Sequence, residues 1–123
     1  MSSFNEPLTV TKINGRWRVA RPFRYYIGEL NSSDFIDIPE GFETDFASVP
    51  RGLWNIFPPD GEYTQAAVLH DYLYNQRKKH GRTRKECDQI FLEAMEVLGV
   101  PWWKRRLMYR AVRSFGWIPW KKK

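Results

Sequence analysis

The chain has 123 residues, 42% of them hydrophobic and 16% aromatic, with a formal net charge of +6 and a single cysteine. That length suits one domain with a real core, the aromatic content excludes a disordered chain, and the lone Cys87 excludes an intramolecular disulfide framework and, with only two histidines, disfavours a closed structural zinc site. No apolar run approaches the roughly 20 residues of a membrane span, and Met1 to Glu6 lacks the basic and apolar regions of a secretory leader, so a soluble protein made in a reducing cytoplasm is expected.

The first third reads as strands. Leu8-Thr9-Val10 and Arg16-Trp17-Arg18-Val19 alternate in polarity around Asn14-Gly15, a pair that favours the positive backbone angles of a tight hairpin. Phe23 to Ile27 and Phe35-Ile36-Asp37-Ile38 extend the pattern, with Pro22 and Pro39 confined to strand ends. A small antiparallel sheet of three to five strands follows. Gly41 to Pro50 leaves that sheet, with Asp45 and Ser48 placed for a local turn, and Pro50 starts a helical turn through Trp54 to Phe57. Pro58-Pro59-Asp60-Gly61 is a loop by composition.

The second half reads as helices. Thr64 opens a helix that runs to about Arg77, and the basic segment Gln76 to Arg82 is a turn in which His80 is a solvated residue. Thr83 and Glu86 have the spacing of a capping box for the next helix, which Gly99 closes in the left-handed conformation before Pro101. The last helix carries Leu107, Met108, Ala111, Val112 and Phe115 on one face and Arg106, Arg110 and Arg113 opposite, and Gly116 ends it. Trp117 to Lys123 is an aromatic, then basic, tail. Residues 1 to 76 hold six basic and ten acidic side chains, and residues 77 to 123 hold fourteen and four, so the positive field belongs to the C-terminal half. Trp102 and Trp103 precede Lys104, Arg105 and Arg106, and with Arg110 and Arg113 they make a candidate partner surface for nucleic acid, anionic lipid or protein. A solvated face that only aids solubility is the plain alternative.

Two ionisable groups sit where core residues are expected. His70 shares a helical face with Ala66, Ala67, Leu73 and Tyr74, and Asp88 shares one with Phe91, Leu92 and Met95. Both point inward, and both are nine residues from Lys79, so an antiparallel helical hairpin brings them to the same height. A buried carboxylate needs a partner, and the imidazole is the nearest one. The pair is either a structural tie or a catalytic dyad, in which Asp88 fixes the tautomer of His70 and His70 takes a proton from water. Asp71 and Asp45 are candidate ligands for a divalent ion such as calcium, magnesium or manganese, because carboxylates with one imidazole suit a hard or borderline ion. Tyr63, Tyr72 and Tyr74 either line a pocket or wedge the helices. The phosphate-cradling loop, the dinucleotide fingerprint, the paired-histidine zinc helix and the nucleophile elbow are all missing, so ATP-driven and nicotinamide chemistry have no support.

Thr44 to Arg51, Ala66 to Tyr74, Cys87 to Phe91 and Met108 to Gly116, taken in that order, resemble the DUF1353 family of phage and prophage domains of unknown function. The resemblance covers roughly Gly41 to Gly116 and implies a phage setting, in which such proteins occur among virion or lysis-associated components. It implies synthesis in the host bacterial cytoplasm, other phage proteins as partners, and incorporation into the virion as one outcome. The His-Asp-x-x-Tyr helix followed by an Asp-x-x-Phe helix is also similar to the core of secreted phospholipase A2 enzymes. In those, a histidine activates water, the neighbouring aspartate holds calcium and an aspartate on the second helix orients the histidine, which corresponds here to His70, Asp71 and Asp88. This chain lacks their disulfides and their glycine-rich calcium loop.

The expected architecture is therefore α+β: one domain, with residues 1–50 mainly strands, 51–116 mainly helices and 117–123 a tail. The leading function is a metal-assisted hydrolase-like site acting at the host envelope or in the virion. The alternatives are a non-catalytic virion or tail component and a nucleic-acid-binding accessory protein.

Overall fold

The computed structural model describes residues 2–14, 16–44 and 63–121. The chain divides into two compact units, Met1–Asp45 and Phe46–Lys123, the first of strands and the second of helices. The architecture is α+β. The turns expected at Asp45 to Ser48 and Pro50 to Phe57, the Pro58 to Gly61 loop and Gly15 lie outside the described residues.

The strand unit holds two three-stranded antiparallel sheets rather than one. In the first, β1 (Ser3–Phe4), β4 (Phe23–Tyr26) and β5 (Phe35–Ile38) lie in the order β1-β4-β5. Period-two alternation sorts its faces. Phe23 pairs with Ile38 and Tyr25 with Ile36, all four buried, while Arg24 pairs with Asp37 on the other face through a 2.6 Å ion pair. In the second sheet, β2 (Val10–Ile13) and β3 (Arg16–Val19) form a hairpin at the expected turn, with Asn14 at a φ of 51°, but the first strand lies at Val10–Ile13 rather than at Leu8-Thr9-Val10, because the two-residue turn pairs Ile13 directly with Arg16. Two very short strands escaped the sequence reading, β1 and β6 (Glu43–Thr44). The second of these pairs with β3 inside the segment expected to leave the sheet. A two-residue strand shows no alternation from which to read it.

In the helical unit, α1 (Thr64–Asn75) has nine of its twelve residues buried. On so buried a helix a histidine needs a specific partner. The turn after it contains a short helix, α2 (Arg77–His80), closed by Gly81 at a φ of 71°. His80 is not the solvated residue expected there. Its Nδ1 accepts from the Arg82 amide at 2.9 Å, which leaves the proton on Nε2 to donate to the Leu73 carbonyl at 2.7 Å. It thereby satisfies one of the open carbonyls in the last turn of α1.

Helix α3 (Arg84–Val97) starts at the expected capping box: Thr83 Oγ1 accepts from the Glu86 amide at 3.1 Å, and Glu86 Oε1 accepts from the Thr83 amide at 2.9 Å. It ends in a Schellman motif, with Gly99 at a φ of 81° and the Val100 and Gly99 amides bonded to the Met95 and Glu96 carbonyls. Helix α4 (Trp102–Phe115) buries only Met108 and Val112, while Leu107 and Phe115, expected in the core, are exposed. The aromatic tail continues as α5 (Trp117–Lys121). Pro119 is tolerated there because it stands in the first turn, where amides lack intrahelical partners anyway.

Removing the Thr83 hydroxyl exposes how much the capping box contributes. Thr83→Ala should lower the unfolding free energy by about 1 kcal/mol, and Thr83→Ser should restore most of it, as read by urea denaturation.

Candidate functional site

His70 projects from the second turn of α1 and Asp88 from the first half of α3, and the two meet across the hairpin. His70 Nε2 lies 2.7 Å from Asp88 Oδ1, and both side chains have zero solvent exposure. The imidazole is held by rings, stacked on Phe91 at 4.5 Å between centroids and against Tyr74 at 4.3 Å. One turn after His70 on the same face, Tyr74 donates its hydroxyl to the same Asp88 oxygen at 2.5 Å. Asp88 Oδ2 accepts from Arg113 of α4 at 2.8 Å and, at 3.4 Å, from Arg84, one turn before it on α3.

Arg84 also donates to the Val112 and Arg113 carbonyls at 3.0 and 3.2 Å. Its guanidinium therefore bridges the carboxylate to the open carbonyl end of α4, where a cation is favoured. One buried acid collects donors from three helices. Behind it, Trp120 of α5 packs edge-on against Tyr74 at 5.0 Å, with Arg77 over its ring.

The charge state follows from these contacts. Burial opposes ionisation of Asp88, but hydrogen bonds from His70, Tyr74 and Arg113 outweigh it and hold the carboxyl below its ordinary pKa. Burial, and then the charge of Asp88, push the Tyr74 hydroxyl well above its usual value, so it stays a donor. Cys87 is pushed up to about 12, first by burial and then by Asp88, and is an inert thiol at neutral pH. An ionised carboxylate only accepts, so Nε2 of His70 presents its N–H to Asp88.

Of the other candidates, Asp71 is half-buried on α1, and Asp45 lies outside the described residues. Among the described residues no group of three His, Cys, Asp or Glu side chains comes together to hold a metal ion. The partner surface divides. Trp102, Trp103, Arg106 and Arg110 are exposed and Lys104 is half-buried, but Arg113 turns onto Asp88 and Arg105 donates to the Val100 carbonyl at 3.0 Å, so neither of these two arginines serves the surface as expected. Arg113 reaches inward because it is the neighbour of buried Val112 and its long side chain spans the gap to a carboxylate that needs a cation.

Inward-facing positions in the sequence give Asp88 one partner, His70, and do not reveal Arg84, Arg113 or the role of Tyr74. Tyr74 and Arg84 each stand four residues from a group already singled out, which is the spacing that would have found them. Gly116 does more than end α4. An added Cβ there would run into the Val112 carbonyl oxygen and stand 2.7 Å from the Tyr74 hydroxyl and 3.2 Å from Arg84 Nη1, so the glycine lets the α4–α5 corner approach the network.

Two outcomes follow from this geometry. Asp88→Ala should cost about 3 kcal/mol or more at neutral pH, because it strands two guanidinium groups and an imidazole. Asp88 has a depressed folded-state pKa, so its contribution is present above the unfolded value of about 3.9 and is lost as pH falls through the lower folded value; the unfolding free energies of wild type and Asp88→Ala should converge in acid. Gly116→Ala, at a φ of −66° where alanine is ordinarily harmless or stabilising, should instead destabilise by about 1–3 kcal/mol, read as a lowered Tm.

Comparison with known proteins places these residues in a family. The family model described as "Protein of unknown function (DUF1353)" matches residues 17–112. The uncharacterized protein y4jT of Sinorhizobium fredii (strain NBRC 101917 / NGR234) is 37% identical over 81 residues, 64% of this chain and 23% of its own length. The uncharacterized protein y4iH of the same organism is 36% identical over 76 residues, 60% of this chain and 30% of its own length. The chain thus spans less than a third of either relative. No solved structure gives a significant match. The matched segment includes His70, Tyr74, Arg84, Asp88 and the buried residues of α4, and the chain belongs to the DUF1353 family.

Proposed function

We propose that this domain is a hydrolase-like phage or prophage protein in which His70 is the general base and Asp88 orients it. One observation carries the reading: the 2.7 Å hydrogen bond between His70 Nε2 and the Asp88 carboxylate, which makes Nδ1 the nitrogen assigned to proton transfer in this reading. Such a nitrogen removes a proton from water as the water oxygen attacks an electrophilic carbon or phosphorus, and later returns the proton to the leaving group. Asp88 stabilises the intervening imidazolium. Tyr74, donating to the same carboxylate oxygen, helps to hold Asp88 in place beside the imidazole. The substrate class proposed is a host-envelope ester or amide, either phospholipid or peptidoglycan. Asp71 and Asp45 are each kept as a proposed carboxylate ligand for a divalent ion. The four ordered motifs support the phage setting, with other phage proteins as partners.

A second reading is a non-catalytic virion or tail component in which the network only ties helices together. It is favoured by the zero exposure of His70 and Asp88 and by the two guanidinium groups already facing the carboxylate. Charge spent on arginine is less available to an imidazolium.

His70→Gln separates the two readings, since glutamine retains an N–H donor toward Asp88 but no base. The catalytic reading expects wild-type turnover of phospholipid or peptidoglycan fragments, a loss of about a hundredfold or more in the variant, and a small change in Tm. Calorimetry with calcium, magnesium, manganese and zinc, on wild type and on Asp71→Asn, tests whether an ion binds. If the wild type turns over neither substrate with any of these ions, the structural reading stands.

A further inference from the structure

The basic residues of the C-terminal half have two fates. After Glu96 the chain holds eight lysines and arginines and no acid. Arg105 and Arg113 turn inward, to the Val100 carbonyl and to Asp88. Arg106 and Arg110 face solvent, and they do so among large apolar side chains. At about 100° per residue, Trp102, Arg106, Arg110, Trp103 and Leu107 fall within an arc of about 140° on the side of α4 away from Met108 and Val112; Arg113 starts from the same arc, but its side chain reaches back to Asp88. Trp102 is 62% exposed, Trp103 54% and Leu107 38%; Phe115, Trp117 and Ile118, near the far end of α4, are exposed as well.

Cations accompany the rings. The Arg106 guanidinium lies 5.6 Å from the centre of Trp102, Lys104 Nζ lies 5.6 Å from Trp103, and Lys121 Nζ lies 5.8 Å from Trp117. This surface is costly to leave in water and repels cationic partners. Single-stranded nucleic acid would use the flat rings and the charges but would gain little from Leu107, which offers no stacking face. A lipid interface uses all three kinds of group: indoles at headgroup depth, aliphatic side chains below them, and lysine or arginine against lipid phosphates. No helix among the described residues is long and apolar enough to cross a membrane, so the surface would lie along the bilayer.

We propose that the exposed outer face of α4 seats this protein on an anionic lipid bilayer. The proposal does not depend on His70 being catalytic, since none of the residues involved belongs to the buried network. It is tested on the full chain by flotation with vesicles of phosphatidylcholine alone and with about 30% phosphatidylglycerol, at low and high salt, with tryptophan fluorescence as a second readout. Binding should be about tenfold or more stronger on the anionic vesicles, fall with salt and shift tryptophan emission to the blue. Trp102→Ala with Trp103→Ala, and separately Arg106→Glu with Arg110→Glu, should each remove most of it while circular dichroism and Tm stay unchanged. Equal binding to neutral vesicles, no vesicle binding, capture of single-stranded DNA without vesicle binding, or wild-type binding by either double variant would overturn it.

Discussion

The buried carboxylate of Asp88 is the constraint on which the helical unit depends. An isolated buried charge costs several kcal/mol even after relaxation, so every donor within reach is drawn to it. The donors come from different helices: His70 and Tyr74 from α1, Arg84 from α3 itself and Arg113 from α4. Any shift of α4 relative to the hairpin leaves either the acid or a guanidinium short of its partner. Arg84 extends that demand to the carbonyl end of α4, and Gly116 leaves the space in which the corner closes over Tyr74. The helices are thus held in register by one acid as well as by apolar packing.

The same contacts set two chemical tendencies against each other. Holding Asp88 ionised makes it an effective orienter of His70, because an acceptor-only partner fixes the tautomer. The groups that hold it ionised also draw on its charge. A general base needs that charge at the moment it becomes an imidazolium, while a structural tie needs it only for the ground state. Zero exposure at His70 adds a second demand on the catalytic reading, since water and substrate must reach Nδ1. This is why the decisive variant keeps the hydrogen bond and removes only the basicity.

Charge and burial also divide the C-terminal basic residues into two populations. Arginines that meet carbonyls or Asp88 act as internal ties, where the planar fork satisfies several acceptors at once. Those on the outer face of α4 stand beside tryptophans and keep their charge available to a partner. The strong positive balance of residues 77 to 123 therefore overstates the charge presented to solvent, and the exposed share is concentrated on one face.

The sequence by itself determined the local features whose physics spans a few residues. Thr83 with Glu86, Gly99, the hairpin register of β2 with β3, and the inward faces of His70 and Asp88 all follow from spacing, because caps, turns and helical periodicity are short-range. The meeting of His70 and Asp88 was legible for the same reason, each lying nine residues from Lys79. Tertiary structure alone decided which arginines turn inward, since Arg113 and Arg110 stand on the same helix with the same chemistry and differ only in which is nearer to Asp88. It also decided that the strands form two sheets, that Leu107 and Phe115 stay exposed, and that His80 closes the end of α1. Each of these depends on what a distant segment places nearby, which no local pattern encodes.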